Sequence, residues 1–444
     1  MSAVQMAKLI RERKLSARET MQSHLAHIER VNPRVNAIVT LVPDEALRRA
    51  AAADEAQARG VPPGALHGLP VAHKDLQPTA GIRTTFGSRI FADFVPEEDS
   101  LLVERIRHAG AIAAGKTNTP EFGAGSQTYN EIFGATLNPW DIAKTCGGSS
   151  GGAAVALACG MVPLADGTDL GGSLRNPASF CNVVGLRPSA GTVPVRPAPG
   201  GSSMSVEGPM ARSVADVAFF LSAIAGRGPF FAQPLERNFK DVRVAWWKDL
   251  GGIPVDSEVR GIVNAQRKVF EAMGCIVEEA EPDFEGAGET FRTLRFQSTA
   301  ERLGGYVKQH RGLIKDTLLW EIELGNRLTD GDIERARAKH GELRRRMHRF
   351  MEPYDCFVLP VSQVSPFDVK LHYPLEIEGT KMETYIDWMK SCYYISAMGT
   401  PSLSVPCGFT RDGLPVGIQI VGRRRHDWEL LQIGHGFESF SRPR

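Results

Sequence analysis

Met21, Leu25, Ile28 and Val31 recur at spacings of four, three and three, which puts them on one face of a helix. Ser16-Ala17-Arg18-Glu19 just before them reads as a capping box, and Asn32-Pro33 ends the helix. A second, Ala-rich helix is predicted over residues 44–59 and stops at Gly60. Residues 69–72 form a short apolar strand that runs into the polar element His73-Lys74-Asp75. Residues 101–109 read as a helix, and Gly110 opens a buried strand over 111–114. Helix followed by strand recurs at 259–273 and 275–278, and again near the C-terminus. This alternation predicts a layered α/β fold. Residues 145–209 carry a high density of Gly, Ser and Pro within otherwise apolar sequence. Residues 286–350 are mostly helical and charged, and 366–386 show no clear period. The segment 227–238 is the one candidate seam, no internal repeat is visible, and the chain reads as a single domain over 1–444.

Composition adds exclusions. Hydrophobic residues at 42% and charged residues at 23% are ordinary for a soluble globular protein. A net charge of +1 gives no electrostatic case for nucleic acid or an anionic membrane. The cysteines at 146, 159, 181, 275, 356, 392 and 407 are too widely spaced for a metal or redox pair, which predicts free thiols in a reducing compartment. Residues 1–14 are amphipathic and charged, unlike a secretory leader. The longest apolar run, 153–165, contains Gly160 and Pro163 and is too short to span a bilayer. A cytoplasmic location is the expectation.

Several patterns invite a chemical reading. Gly110 to Thr117 satisfies the P-loop expression, yet the middle residues form an apolar strand and Pro120 interrupts the helix that should follow. Gly147-Gly148-Ser149-Ser150-Gly151 satisfies the nucleophile-elbow expression, which would make Ser149 the nucleophile of a Ser-His-Asp esterase. An elbow needs a buried strand before it, and Asn138-Pro139 begins a poor one. His24 and His27 lie one helical turn apart without a third metal ligand, and His73 is a candidate base beside Lys74.

The densest chemistry lies in Cys146-Gly-Gly-Ser149-Ser150-Gly-Gly-Ala-Ala and Asp166-Gly-Thr-Asp169-Leu-Gly171-Gly172-Ser173-Leu-Arg175-Asn-Pro177-Ala. Two Gly-flanked serines are joined by an apolar, Ala-rich segment that suits a buried helix. Glycine admits positive φ and close approach of backbone to a ligand. Leu170-Gly-Gly-Ser173 can therefore aim several N–H groups at one point, as an oxyanion hole requires.

This stretch, from Gly147 to Ala178, resembles the signature of the amidase signature enzymes along its whole length. Leu66-His-Gly-Leu-Pro-Val-Ala-His-Lys74-Asp75 resembles the family's lysine segment, and residues 113–122 its next block. Gly399-Thr-Pro-Ser-Leu-Ser-Val-Pro406 and Gly413 to Gly422 are similar to its C-terminal strands. The likeness covers residues 5–225 and 395–440, whereas 230–390 match no motif. The resemblance implies a twisted mixed sheet sandwiched between helices, and C–N bond hydrolysis by a Ser–cis-Ser–Lys triad. Ser173 would be the nucleophile, Ser149 a proton shuttle on a cis peptide and Lys74 the neutral base. The N–H groups of Leu170, Gly171, Gly172 and Ser173 would form the oxyanion hole. Asp169 and Arg175 would support the loop by pairing, and Gly123, Ala124, Gly125 and Ser126 would line the acyl pocket. Cys146 and His73 depart from commoner residues at their positions and would tune the site.

The resemblance requires no metal or organic cofactor. It implies a small-molecule amide or carbamate as partner, with no nucleic acid and no membrane, and is compatible with a homodimer. The family also contains the A component of glutamyl-tRNA amidotransferase, which is one alternative; a catalytically inert binding protein on the same fold is another. Phe291, Phe296, Trp320, Tyr385, Trp388, Tyr393 and Tyr394 are candidates either for an apolar pocket or for helix core. Apolar or aryl substrates, urethanes among them, are the expectation. The chemistry also has a residue-level rationale: a serine hydroxyl needs an adjacent base, and a lysine is one only when burial makes it neutral.

Overall fold

In the computed structural model, residues 1–196, 204–226 and 234–441 are described; residues 227–233 of the candidate seam lie outside them. Val71 belongs to one apolar cluster and its neighbour Ala72 to another, and Leu164 and Ala165 divide the same way. Successive residues of a strand point to opposite faces, so these strands are covered on both sides.

The strands in chain order are β1 (Ile38–Leu41), β2 (Pro70–Lys74), β3 (Ile112–Thr117), β4 (Tyr129–Asn130), β5 (Gly134–Ala135), β6 (Leu164–Asp169), β7 (Val184–Arg187) and β8 (Val206–Ala211). They continue with β9 (Arg243–Trp246), β10 (Ile276–Glu279), β11 (Cys356–Pro360), β12 (Glu376–Ile377), β13 (Thr380–Lys381), β14 (Ser402–Phe409) and β15 (Pro415–Gly422). Eleven of them form one sheet in the order β1-β3-β2-β6-β8-β7-β14-β15-β11-β9-β10. The sheet is mixed: β2 runs parallel to β3 and β6, while β6–β8, β7–β8 and β14–β15 are antiparallel. Helices Ala17–Val31, Pro43–Ala58 and Gly151–Ala158 contribute to one apolar cluster. Helices Ala3–Arg11, Leu101–His108, Val214–Ile224 and Asp427–Ser441 contribute to the other.

The capping box is present: Glu19 N donates to Ser16 Oγ at 3.0 Å, and Ser16 N donates back to the Glu19 carboxylate at 3.0 Å. The P-loop look-alike is strand β3, and its Lys116 is fully buried, donating to Thr79 Oγ1 at 2.9 Å and Thr84 Oγ1 at 2.8 Å. Two expectations need correction. The helix expected over 259–273 is broken into Ser257–Asn264 and Arg267–Met273. The segment between the two serine loops is helix only over Gly151–Ala158; a turn at Gly160 (φ +71°) then feeds β6. The aperiodic stretch at 366–386 contains the two-residue hairpin strands β12 and β13.

No helix among the described residues is long and apolar enough to cross a membrane. His24 Nδ1 bonds to the Met161 carbonyl at 2.9 Å and His27 Nε2 to that of Cys159 at 2.7 Å, so both rings are packing and capping groups.

Candidate active site

Lys74 ends β2 and is fully buried. Its Nζ lies 2.7 Å from Ser149 Oγ, 2.9 Å from Ser150 Oγ and 2.9 Å from Thr168 Oγ1. All three neighbours are neutral hydroxyls, so nothing in contact compensates an ammonium. Burial pulls the Lys74 pKa down to about 7, against the opposing pull of Asp169 and Asp166. This favours the neutral amine far more than an exposed lysine allows.

Ser149 follows a cis peptide bond from Gly148. The loop is braced from outside: Gly148 N donates to Asn176 Oδ1 at 3.1 Å and Gly151 N to Thr128 Oγ1 at 3.1 Å. Ser150 N donates to the Ser173 carbonyl at 3.2 Å, which ties the two serine loops together. Cys146 is fully buried beneath this loop, and burial pushes its thiol up to about 12, so it is a packing group, not a thiolate.

Ser173 stands in the turn between β6 and helix Arg175–Cys181, and with Ser149 it lines a cavity of about 490 Å³. Only glycine fits just before it. A Cβ on Gly171 would come within 2.9 Å of Phe291, and one on Gly172 (φ +123°) within 2.6 Å of Cys392. Gly172 N–H already donates to Asp169 Oδ1 at 2.9 Å, whereas those of Leu170, Gly171 and Ser173 have no acceptor among the described residues. Gly172 N–H thus braces the turn through Asp169.

Asp169 anchors this turn. It accepts from Arg175 Nε at 3.0 Å and Nη2 at 2.9 Å, from Arg187 Nη1 at 3.2 Å and from Leu174 N at 3.2 Å. Burial alone would raise its pKa, but the Arg175 and Arg187 guanidiniums outweigh that and hold the carboxyl well below the usual range. Asp169→Asn would leave two buried arginines facing a neutral amide. It is expected to cost about 3–5 kcal/mol, read as a lower midpoint in urea unfolding.

His73 does not line the cavity; its Nδ1 donates to Asp166 Oδ2 at 2.5 Å, and Asp166 Oδ1 accepts from Lys74 N at 2.9 Å. The pair fixes the end of β2 that carries the lysine. No histidine is among the described residues lining the cavity, so the elbow reading has no histidine base beside Ser149.

Gly123, Ala124, Gly125 and Ser126 form one wall, with Leu76, Phe86 and Phe122 beside them. Lys315 Nζ donates to the Ala124 carbonyl and Lys315 N to Glu121 at 2.9 Å, so the variable region clamps this loop. None of the seven aromatics singled out in the sequence lines the cavity. They pack against other rings, as Phe291 on Tyr393 at 4.3 Å, Phe296 against Trp320 at 5.3 Å and Trp388 against Phe367 at 5.2 Å. The variable region instead presents Arg295, Ser298, Thr299, Arg302 and Leu303 from helix Ala287–His310, and Leu318 and Glu321 from helix Asp316–Asn326. Their polar helical spacing is visible in the sequence, but it reads equally well as a solvated face. Glu207 on β8 is a further lining residue that no motif marks. Its register partner is Thr168, its Oε2 is buried without a partner, and burial raises its pKa to about 7.

Comparison with known proteins settles the family. The family model described as Amidase matches residues 19–431. The chain belongs to the amidase family. It is 36% identical over 458 residues to an acylamidase of Rhodococcus erythropolis, covering 99% of this chain and 95% of that one. It is 31% identical over 465 residues to the A component of the glutamyl-tRNA(Gln) amidotransferase of Alkaliphilus metalliredigens, covering 96% and 94% respectively. A solved bacterial aryl acylamidase of the amidase signature family superposes with a TM-score of 0.92 at 28% identity, over 99% of this chain and 96% of that one. The large mixed sheet flanked by helices is thus the amidase signature fold, and this amidase is a hydrolase of carbon–nitrogen bonds other than peptide bonds.

Proposed function

We propose that this amidase cleaves small, largely apolar or aryl amides or carbamates through a Ser173 acyl-enzyme, with Ser149 as proton shuttle and Lys74 as base. The observation that carries the reading is the buried Lys74 Nζ at 2.7 Å from Ser149 Oγ, in the cavity that Ser173 also lines. Neutral Lys74 takes a proton from Ser149 as Ser149 takes one from Ser173, whose Oγ attacks the carbonyl carbon. The free N–H groups of Leu170, Gly171 and Ser173 receive the oxyanion. As the tetrahedral intermediate collapses, the proton returns through Ser149 to the departing nitrogen, and water then repeats the cycle on the ester. Asp169 and Arg175 keep the donor turn in shape.

The cavity volume of about 490 Å³ suits a small substrate. Leu76, Phe86, Phe122, Leu303, Leu318 and Met389 give it an apolar share. The names of the acylamidase relatives point the same way. A panel of aryl amides, carbamates, short aliphatic amides and glutamine tests the substrate class. Turnover of glutamine alone, dependent on added amidotransferase partner proteins, would support the reading suggested by the amidotransferase relative instead.

Ser149→Ala separates the shuttle from a structural role. An amine leaves only when protonated, whereas an activated alcohol leaves without help. The variant is expected to lose roughly 10²- to 10⁴-fold in kcat/KM on an amide and clearly less on the matched activated ester. Equal losses on both would remove Ser149 from the proton path.

A further inference from the structure

Helix Ala287–His310 crosses the cavity that Ser149 and Ser173 line. Near its start Phe291 packs on the oxyanion turn, where a Cβ on Gly171 would come within 2.9 Å of its ring. Further along, Leu303 shares an apolar cluster with Ala124 and Leu318, and Tyr306 stacks on Phe122 at 6.2 Å. Those residues belong to the Ser149 side, since a Cβ on Gly123 would lie 3.6 Å from Ser149 Oγ. In the proposed reaction the departing nitrogen must reach Ser149 Oγ. The amine half of a substrate therefore lies against Leu76, Phe86 and Phe122, and the acyl half extends from the oxyanion turn along the start of this helix.

Arg295 stands one turn after Phe291 and lines the cavity there. It is only 6% exposed. Its Nε donates to Glu321 Oε1 at 2.6 Å and its Nη2 to the Tyr385 hydroxyl at 2.9 Å. Glu321, itself fully buried, also accepts from Tyr385 and from Thr299 Oγ1 at 3.3 Å, so both its oxygens are occupied. Nη1 of Arg295 has no partner among the described residues and is not sealed in protein. The guanidinium is thus held from behind, with two N–H groups left for whatever fills the cavity. Arg302, seven residues further along the same face, lines the cavity from an exposed position. It makes no fixed contact, but it adds a positive charge that no ion pair among the described residues offsets. The other carboxyl of the lining, Glu207, lies on β8, where burial raises its pKa to about 7. A fixed guanidinium nitrogen with a second cation near it calls for an anionic oxygen rather than a neutral one.

We propose that Arg295 binds a carboxylate on the acyl half of the substrate, which makes monoamides of short dicarboxylic acids, with an apolar or aryl amine, the preferred substrate class. The assignment of the two halves rests on the Ser173 acyl-enzyme reading; the carboxylate site itself does not.

The test follows aniline release from two anilides that differ only at the far end of the acyl chain. One is succinanilic acid; the other is N-phenylsuccinamide, in which a neutral carboxamide of the same shape replaces the carboxylate. The wild type is expected to favour the acid about tenfold or more in kcat/KM, chiefly through KM. Arg295→Lys keeps a cation against Glu321 but has no second nitrogen for the cavity. It should cost the acid about tenfold and the carboxamide clearly less. Arg295→Met combined with Glu321→Met removes the pair together, leaves no buried orphan charge, and should act the same way if Arg295→Lys does not fold. Arg302→Gln should raise KM for the acid in low salt and less so in high salt. Equal turnover of the two anilides by the wild type would overturn the proposal. So would equal losses on both in Arg295→Lys or the double variant, which would leave Arg295 a structural residue. Calorimetric binding of the same two compounds to Ser173→Ala separates this result from catalysis. If the wild type cleaves neither anilide, yet Ser173→Ala binds the acid about tenfold more tightly than the carboxamide, the catalytic reading fails and the carboxylate site stands. If both bind alike, or neither binds, the carboxylate site is overturned.

Discussion

Ser173→Ala is expected to lower kcat by roughly 10⁴- to 10⁶-fold while leaving the melting temperature within about a degree of wild type. The side chain sits at the cavity wall, 9% exposed, and its Oγ has no hydrogen-bond partner among the described residues. Removing that oxygen therefore orphans no buried group and opens no appreciable void. The loss is chemical, because on the proposed mechanism the Ser173 Oγ is the atom that carries the acyl group. Labelling with a serine-directed phosphonate and mapping the adduct by mass spectrometry checks the assignment. Modification of Ser173 in the wild type and of nothing in Ser173→Ala is the expected pair of results. An adduct on Ser149 would move the nucleophile to the first serine loop.

Lys74→Ala and Lys74→Met are expected to reduce kcat/KM by several orders of magnitude and to erase the rising, acid-side limb of its pH profile. In the wild type kcat/KM should rise as pH increases through an apparent value near 7, where the buried amine loses its proton. On the proposed mechanism Lys74, Ser149 and Ser173 exchange one proton, so the macroscopic value belongs to them together. His73→Ala should keep that limb, because His73 is turned to Asp166 and away from the cavity. Survival of the limb in both Lys74 variants and its disappearance in His73→Ala would hand the base role to the histidine. The same lysine leaves a thermodynamic mark. Between its folded value near 7 and the ordinary value of about 10.4, the unfolded chain binds the proton and the folded chain does not. The Lys74 contribution to stability therefore rises with pH across that window, by at most about 1.4 kcal/mol per pH unit. Relative to Lys74→Met, the wild type should gain stability from pH 7 to 10, as urea unfolding at several pH values would show.

The two serine loops show how far local sequence reaches. The two glycines before Ser149 and the two before Ser173 are readable in one dimension, because positive φ and close backbone approach are local demands on the chain. The capping box at Ser16 and the strand at the false P-loop are local in the same sense. The break at residues 265–266 and the turn at Gly160 were not legible, since both depend on which sheet edge or face the next segment must reach.

The amidase fold, the pairing of a Gly-flanked serine loop with a lysine strand, and the absence of any strong charge bias were all determined by the sequence alone. Tertiary structure decided the rest. It placed Lys74 among three neutral hydroxyls, and the pKa follows from that burial, which the order of residues does not state. It tied the Gly172 N–H to the Asp169 carboxylate. It packed the variable-region aromatics against other rings and gave the cavity Arg295, Arg302, Glu207 and Glu321 instead. The physical reason is common to all three. Desolvation, hydrogen-bond competition and packing depend on groups that lie far apart in the chain and meet only when the sheet and its helices close around them.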